Sequence, residues 1–182
     1  HSDTTFELGY RDFPLRLTAP SKLVGRDDSV AALTDAFHAA VRGDTRALFV
    51  SGDPGVGKSS LIDELRPVVT GLSGWFISGE FDQYRPDQGA NALYRAFGSL
   101  GQLLLSENAE ELALYRAQFK EVLGLNARLA ARVIPEFATI LQLSSTDLDA
   151  QSSNVEGRLG QTFCDILGVV VSRRPIALVI DD

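Results

Sequence analysis

Residues 52–59 read GDPGVGKS, and this octet constrains the fold more than any other feature of the chain. It meets the pattern G-x-x-x-x-G-K-[ST] at every specified position. Each residue type in it has a task. Gly52, Gly55 and Gly57 let the backbone turn at positive φ and approach an anion closely. The loop running through Gly52, Asp53, Pro54, Gly55, Val56, Gly57, Lys58, Ser59 and Ser60 then aims N–H groups inward as an anion nest. A helix beginning near Lys58 adds the positive end of its dipole. Lys58 reaches the β- and γ-phosphates of a nucleoside triphosphate as a point charge, and the Ser59 hydroxyl is placed to ligate Mg²⁺.

The flanking pattern agrees with a strand–loop–helix unit. Residues 46–51 (RALFVS) form a short apolar run that predicts a buried strand before the loop, and residues 59–69 predict a helix after it, which Pro67 kinks or ends. Upstream, Val30, Leu33, Phe37 and Val41 fall at helical spacing, with Asp27 or Asp28 as cap and Gly43 as stop. Residues 75–78 (WFIS) predict a second strand. Helices follow at about 89–105, 109–123, 126–142 and 153–171, with a loop at 144–147. Leu93, Phe97, Leu100 and Leu104 make one apolar stripe; Leu112, Tyr115, Phe119 and Val122 make another. A third buried strand is expected at 176–180 (IALVI). Strands alternating with helical crossovers imply an α/β fold with a parallel sheet, three-layered, of the P-loop kind, with a long helical insertion. Residues 1–20, punctuated by Pro14 and Pro20, read as a lead-in segment and 21–182 as the domain.

The last strand ends in Asp181 and Asp182, two carboxylates at the sheet edge where open α/β folds bind ligands. Asp181 is expected to hold Mg²⁺, directly or through water. Asp182 is expected to orient the attacking water. The bland alternative is a strand entering a solvated turn. An Asp at the second position is one methylene shorter than the Glu usual in fast motors, which favours slow turnover. Lys58, Asp181 and Asp182 are thus the candidate catalytic set, with Ser59 and Asp181 as metal ligands.

The net charge is −7, which argues against a general affinity for nucleic-acid backbone. No apolar run approaches the ~20 residues needed to cross a bilayer. One cysteine, Cys164, excludes an internal disulfide and a cysteine-based zinc site; set among Phe163, Ile166 and Leu167, it reads as a small buried hydrophobe. Val24, Gly25 and Arg26 lie before the first helix. They form a plain turn or, as in several ATPase groups, wrap the base and ribose. Asp82, Gln83 and Tyr84 follow the second strand at the ligand edge. Arg173 and Arg174 are either phosphate sensors or solvated charges. His38 is a surface or core filler, Trp75 and Phe76 belong to the core, and Glu107, Glu110 and Glu111 open a solvated helix. The Asn/Thr-Lys-x-Asp motif of guanine recognition is missing, so ATP is the expected nucleotide.

LVGRDDSVAAL, LFVSGDPGVGKSSLIDEL, WFISGEFDQYRPDQGANALYRAF and RPIALVIDD together resemble the AAA-type ATPase module of bacterial multi-sensor signalling kinases, a STAND group within AAA+. The likeness covers about residues 9–182. It is most specific at SGEFDQY, although Glu80 stands where a lysine is common. The resemblance implies ATP as ligand, a cytoplasmic two-component setting, and sensor and kinase domains of the same polypeptide as partners. It also implies a sheet order of 5-1-4-3-2, in which a later strand separates the phosphate-loop strand from the Asp181 strand. Residues 1–182 alone are then expected to leave a gap and to be unstable or aggregation-prone.

A regulatory ATP-dependent switch heads the functions compatible with these motifs. A mechanical remodelling or loading ATPase would instead turn over rapidly in a ring of several copies, and homo-oligomerisation stays open. A scaffold without turnover would have no need of Lys58, Ser59, Asp181 and Asp182. A small-molecule phosphotransferase fits poorly with the helical stretch 89–171.

Overall fold

The structure is a computed structural model that describes residues 25–81, 91–144 and 155–181. The expected lead-in at 1–20, Val24, Asp182, the Asp82–Tyr84 stretch and most of the 144–147 loop lie outside those residues.

Helix α1 (Asp27–Val41) begins one residue after Arg26, which makes no side-chain cap. Asp27 and Asp28 sit inside the first turn, where their charge favours the helix dipole; they are not the cap itself. Phe37 is buried, whereas Val41 and His38 are exposed. The helix expected after the phosphate loop divides into α2 (Lys58–Asp63) and α3 (Leu65–Gly71). Pro67 causes the break: its missing N–H and its ring exclude the normal bond to the Asp63 carbonyl, so the chain restarts with Pro67 in the first turn of α3.

Strands β1 (Trp75–Glu80) and β2 (Ile176–Asp181) pair in parallel, with Trp75 beside Ile176 and Glu80 beside Asp181. They are the only strands among the described residues. Residues 46–51, expected as the buried strand before the phosphate loop, carry no regular structure, and Phe49 is 97% exposed. The physical reason is pairing. A strand exists by exchanging backbone hydrogen bonds with a neighbour. β1 occupies one edge of β2, and a cavity of about 420 Å³, lined by Leu48, Val50, Leu178 and Ile180 among others, separates the other edge from this segment.

The two faces of the sheet receive different layers. Phe76 and Ala177 pack against Phe37, Leu65 and Val69 from α1 and α3. Trp75 and Ile77 face the opposite way, into a larger helical layer. That layer comprises α4 (Asn91–Ser106), α5 (Ala109–Leu123), α6 (Ala127–Val133), α7 (Pro135–Leu141) and α8 (Val155–Val171). Its aromatic spine stacks Tyr115 on Phe119 and Phe119 edge-on against Phe137, with centroids 6.2 and 5.4 Å apart. Asn108 caps α5 by accepting from the amides of Glu110 and Glu111, at 3.1 and 2.9 Å. The buried stripe of α5 ends on Leu123, and Val122 is 49% exposed. The helix expected at 126–142 is two helices, because Pro135 forces Ile134 to φ −125°, ψ 98°. Cys164 lies on the exposed side of α8, since Phe163, Ile166 and Val170 take the buried face.

β1 meets α4 at Gly79, where an added Cβ would sit 1.7 Å from the Ala92 carbonyl oxygen. Only glycine allows this approach of helix to strand. At the opposite end of the sheet, Arg174 pairs with Glu107 at 3.1 Å and lies over the Trp75 ring; Arg173 pairs with Glu111 at 3.3 Å and lies over Tyr115. Burial raises the Tyr115 hydroxyl pKa above its usual value, and the nearby Arg174 and Arg173 oppose that rise.

Candidate functional site

The phosphate loop spans from the irregular segment 44–53 to the start of α2. Gly57 takes the position before the helix with φ 88°, a left-handed conformation open to glycine, and Gly55 has φ 79°. These two reversals turn the chain so that α2 starts at Lys58. Gly52 does not share this geometry: it is not among the positive-φ residues. A Cβ there would lie 3.1 Å from the Val56 side chain, a tight contact against an exposed residue.

Lys58 Nζ donates to the Gly52 carbonyl at 3.1 Å, bending its ammonium over the loop. Ser59 Oγ donates to Asp181 Oδ2 at 2.7 Å. The Arg26 guanidinium donates to the Val56 carbonyl, tying the residue after Gly25 to the loop tip. An open cleft of about 510 Å³ is lined by Pro54, Gly55, Gly57, Lys58, Ser59, Ser60, Phe81 and Asp181.

The structure therefore brings together the loop, Ser60, Arg26 and Asp181, which the sequence distributes over more than 150 positions. It takes Arg173 and Arg174 away. They precede β2, whereas Asp181 ends it, about 20 Å along the strand. Their partners are Glu111 and Glu107, which are thus ion-paired and not merely solvated. Sequence reasoning did not single out Phe81, whose ring walls the cleft and whose amide donates to the Asp181 carbonyl at 2.9 Å. Its signal was its place: it directly follows a strand that ends at the ligand edge.

Among the described residues, no group of three or more His, Cys, Asp or Glu could hold a metal ion by itself. Ser59 and Asp181 nevertheless fit Mg²⁺. Both are hard oxygen donors, and this ion habitually keeps waters and phosphate oxygens as its remaining ligands.

The comparisons with known proteins bear on the same residues. Hybrid signal transduction histidine kinase G of Dictyostelium discoideum is 29% identical over 180 residues, which cover 98% of this chain and 5% of that protein. The chain thus spans only a small part of the length of this relative. No solved structure matches it. A family model described as an AAA ATPase domain matches residues 22–182, including the whole loop and Asp181. The α/β fold, the phosphate loop and this match agree: the chain belongs to the AAA ATPase domain family.

Proposed function

We propose that residues 21–182 bind Mg²⁺-ATP in the cleft and hydrolyse it slowly, as a regulatory switch within a larger cytoplasmic signal-transduction kinase. The observation that carries this reading is the 2.7 Å bond from Ser59 Oγ to Asp181 Oδ2, which joins two motifs 122 positions apart. The loop amides from Gly52, Asp53, Gly55, Val56 and Gly57, together with the α2 N-terminus, cradle the phosphates. Lys58 places its charge against the β- and γ-phosphates. Ser59 and Asp181 hold the metal, which when bound neutralises charge on the transferred phosphoryl group. Asp182 orients the attacking water, and its short side chain keeps turnover slow. Val24, Gly25 and Arg26 contact base and ribose; the bond from the Arg26 guanidinium to the Val56 carbonyl holds Arg26 beside the phosphate loop.

The signalling context rests on the histidine-kinase relative. Residues 1–20 serve as the lead-in from a preceding domain. Kinase activity belongs to other domains of the polypeptide, which with the sensor domains are the partners of the switch. No nucleic-acid partner is proposed. No helix among the described residues is long and apolar enough to cross a membrane.

Calorimetric titration of the full-length chain with Mg²⁺-ATP and ADP tests this. Saturable binding that Lys58→Ala weakens at least tenfold, ~1.4 kcal/mol or more, is expected. Phosphate release should stay below about 1 s⁻¹, the low end of enzyme turnover. A folded chain that binds neither nucleotide would sink the ATPase reading, and rapid turnover in a ring assembly would favour a remodelling enzyme.

A further inference from the structure

The register of the sheet places a second carboxylate beside Asp181. Glu80 is its direct neighbour in the parallel pair. Side chains alternate along a strand, and in-register neighbours share a face. Phe76 and Ala177 pack toward α1 and α3, so residues 78 and 80 on β1 and 179 and 181 on β2 share that side. It is the side on which Ser59 reaches Asp181. Glu80 is solvent-exposed, at the C-terminal tip of its strand. Its backbone is held on both sides. Gly79 presses against Ala92, and the Phe81 amide bonds the Asp181 carbonyl at 2.9 Å. Adjacent strands lie about 4.8 Å apart, which a glutamate side chain readily spans.

We propose that Glu80 is a positioning residue for the divalent cation of the nucleotide cleft, accepting hydrogen bonds from water ligands of the ion held by Ser59 and Asp181. This assignment rests on the nucleotide reading above. The chemistry follows from charge. Glu80 and Asp181 put two negative charges at the same tip of one sheet face, and a divalent cation between them and the phosphates offsets that charge. Mg²⁺ surrenders its waters reluctantly, so a longer carboxylate one strand away suits the second layer around the ion better than direct ligation. Glu80 then raises the affinity for the metal–nucleotide pair, while in the absence of metal its charge opposes the phosphates.

The test is calorimetric titration of the full-length chain with ADP, across a Mg²⁺ series and in EDTA, for wild type, Glu80→Gln, Glu80→Lys and the control Glu110→Gln. In Glu80→Gln, metal-free ADP binding should be equal to wild type or tighter, which also shows the variant folded. The Mg²⁺ concentration giving half of the metal-dependent gain should rise at least threefold. Glu80→Lys should raise it further, and Glu110→Gln, remote on α5, should leave it unchanged. Wild type that binds ADP, together with a Glu80→Gln variant whose Mg²⁺ requirement matches it, overturns the Glu80 assignment alone. A similar rise in Glu110→Gln also overturns it, because the effect would then be one of general charge. Wild type that binds no ADP under any condition overturns the nucleotide reading and this assignment with it.

Discussion

The two faces of the β1–β2 sheet are built on different terms. One carries α4–α8, where Phe97, Tyr115, Phe119, Phe137 and Ile140 are fully or almost fully buried. The other carries α1–α3 over a small cluster of Phe37, Leu65 and Val69, beside the irregular segment that leads into the phosphate loop. The loop is thus mounted on the thinly packed side, and the larger buried layer lies on the opposite one. A loop that must receive an anion gains from exposed backbone amides, which a dense core would cover. The helical layer needs no such opening and can be filled to normal interior density.

Perturbing each face separately sharpens that contrast. The largest effect is expected for Phe119→Ala, which removes a ring in contact with both Tyr115 and Phe137. It should cost about 3–5 kcal/mol by denaturant unfolding. Gly79→Ala comes next. Its Cβ would meet the Ala92 carbonyl oxygen at 1.7 Å, so helix and strand must part, at about 1–3 kcal/mol. A stability change near zero would mean that α4 is free to shift. Arg174→Ala loses a partly exposed ion pair to Glu107 and a contact with Trp75, and should cost about 1 kcal/mol with little change in nucleotide affinity.

A pH effect should follow in the same layer. Tyr115 has its folded pKa raised by burial, so its contribution to stability is complete below the unfolded value of 10.0 and is lost as pH rises through the folded value. Unfolding midpoints above about pH 10 should therefore fall less steeply in Tyr115→Phe than in wild type. The smallest effect is expected on the other face. Phe49→Ser, at a side chain 97% exposed, should change stability by no more than about 0.5 kcal/mol. A loss as large as that of Phe119→Ala would show residues 46–51 to be buried in the working protein and would break the contrast.

Local patterns were legible where the deciding interactions span three or four residues. The bounds of α5, the start of α2 at Lys58 and the disturbance at Pro67 could be read directly, because i to i−4 bonding and the lost proline N–H are local causes. The break at Pro135 carries the same local signal, against the single helix expected over 126–142. The buried stripe of α5 closes on Leu123 and not on the expected Val122, since α5 meets its neighbours along a slightly rotated line. Apolar neighbours in sequence predict a buried Cys164, yet it is exposed, because which arc of α8 is buried depends on what packs against it.

The chain by itself determined the phosphate loop, the helix that follows it, the apolar strand ending in Asp181 and the helical character of the middle of the domain. All of these rest on short-range geometry or on residue chemistry within one segment. Tertiary structure alone decided that Arg173 and Arg174 bind Glu111 and Glu107, and that Glu80 stands beside Asp181. Those outcomes depend on contacts between residues far apart in the chain, 62 positions for Arg173 and Glu111 and 101 for Glu80 and Asp181. A one-residue slip between the two strands would turn every side chain to the opposite face, so the register is fixed only once the two helical layers claim their faces.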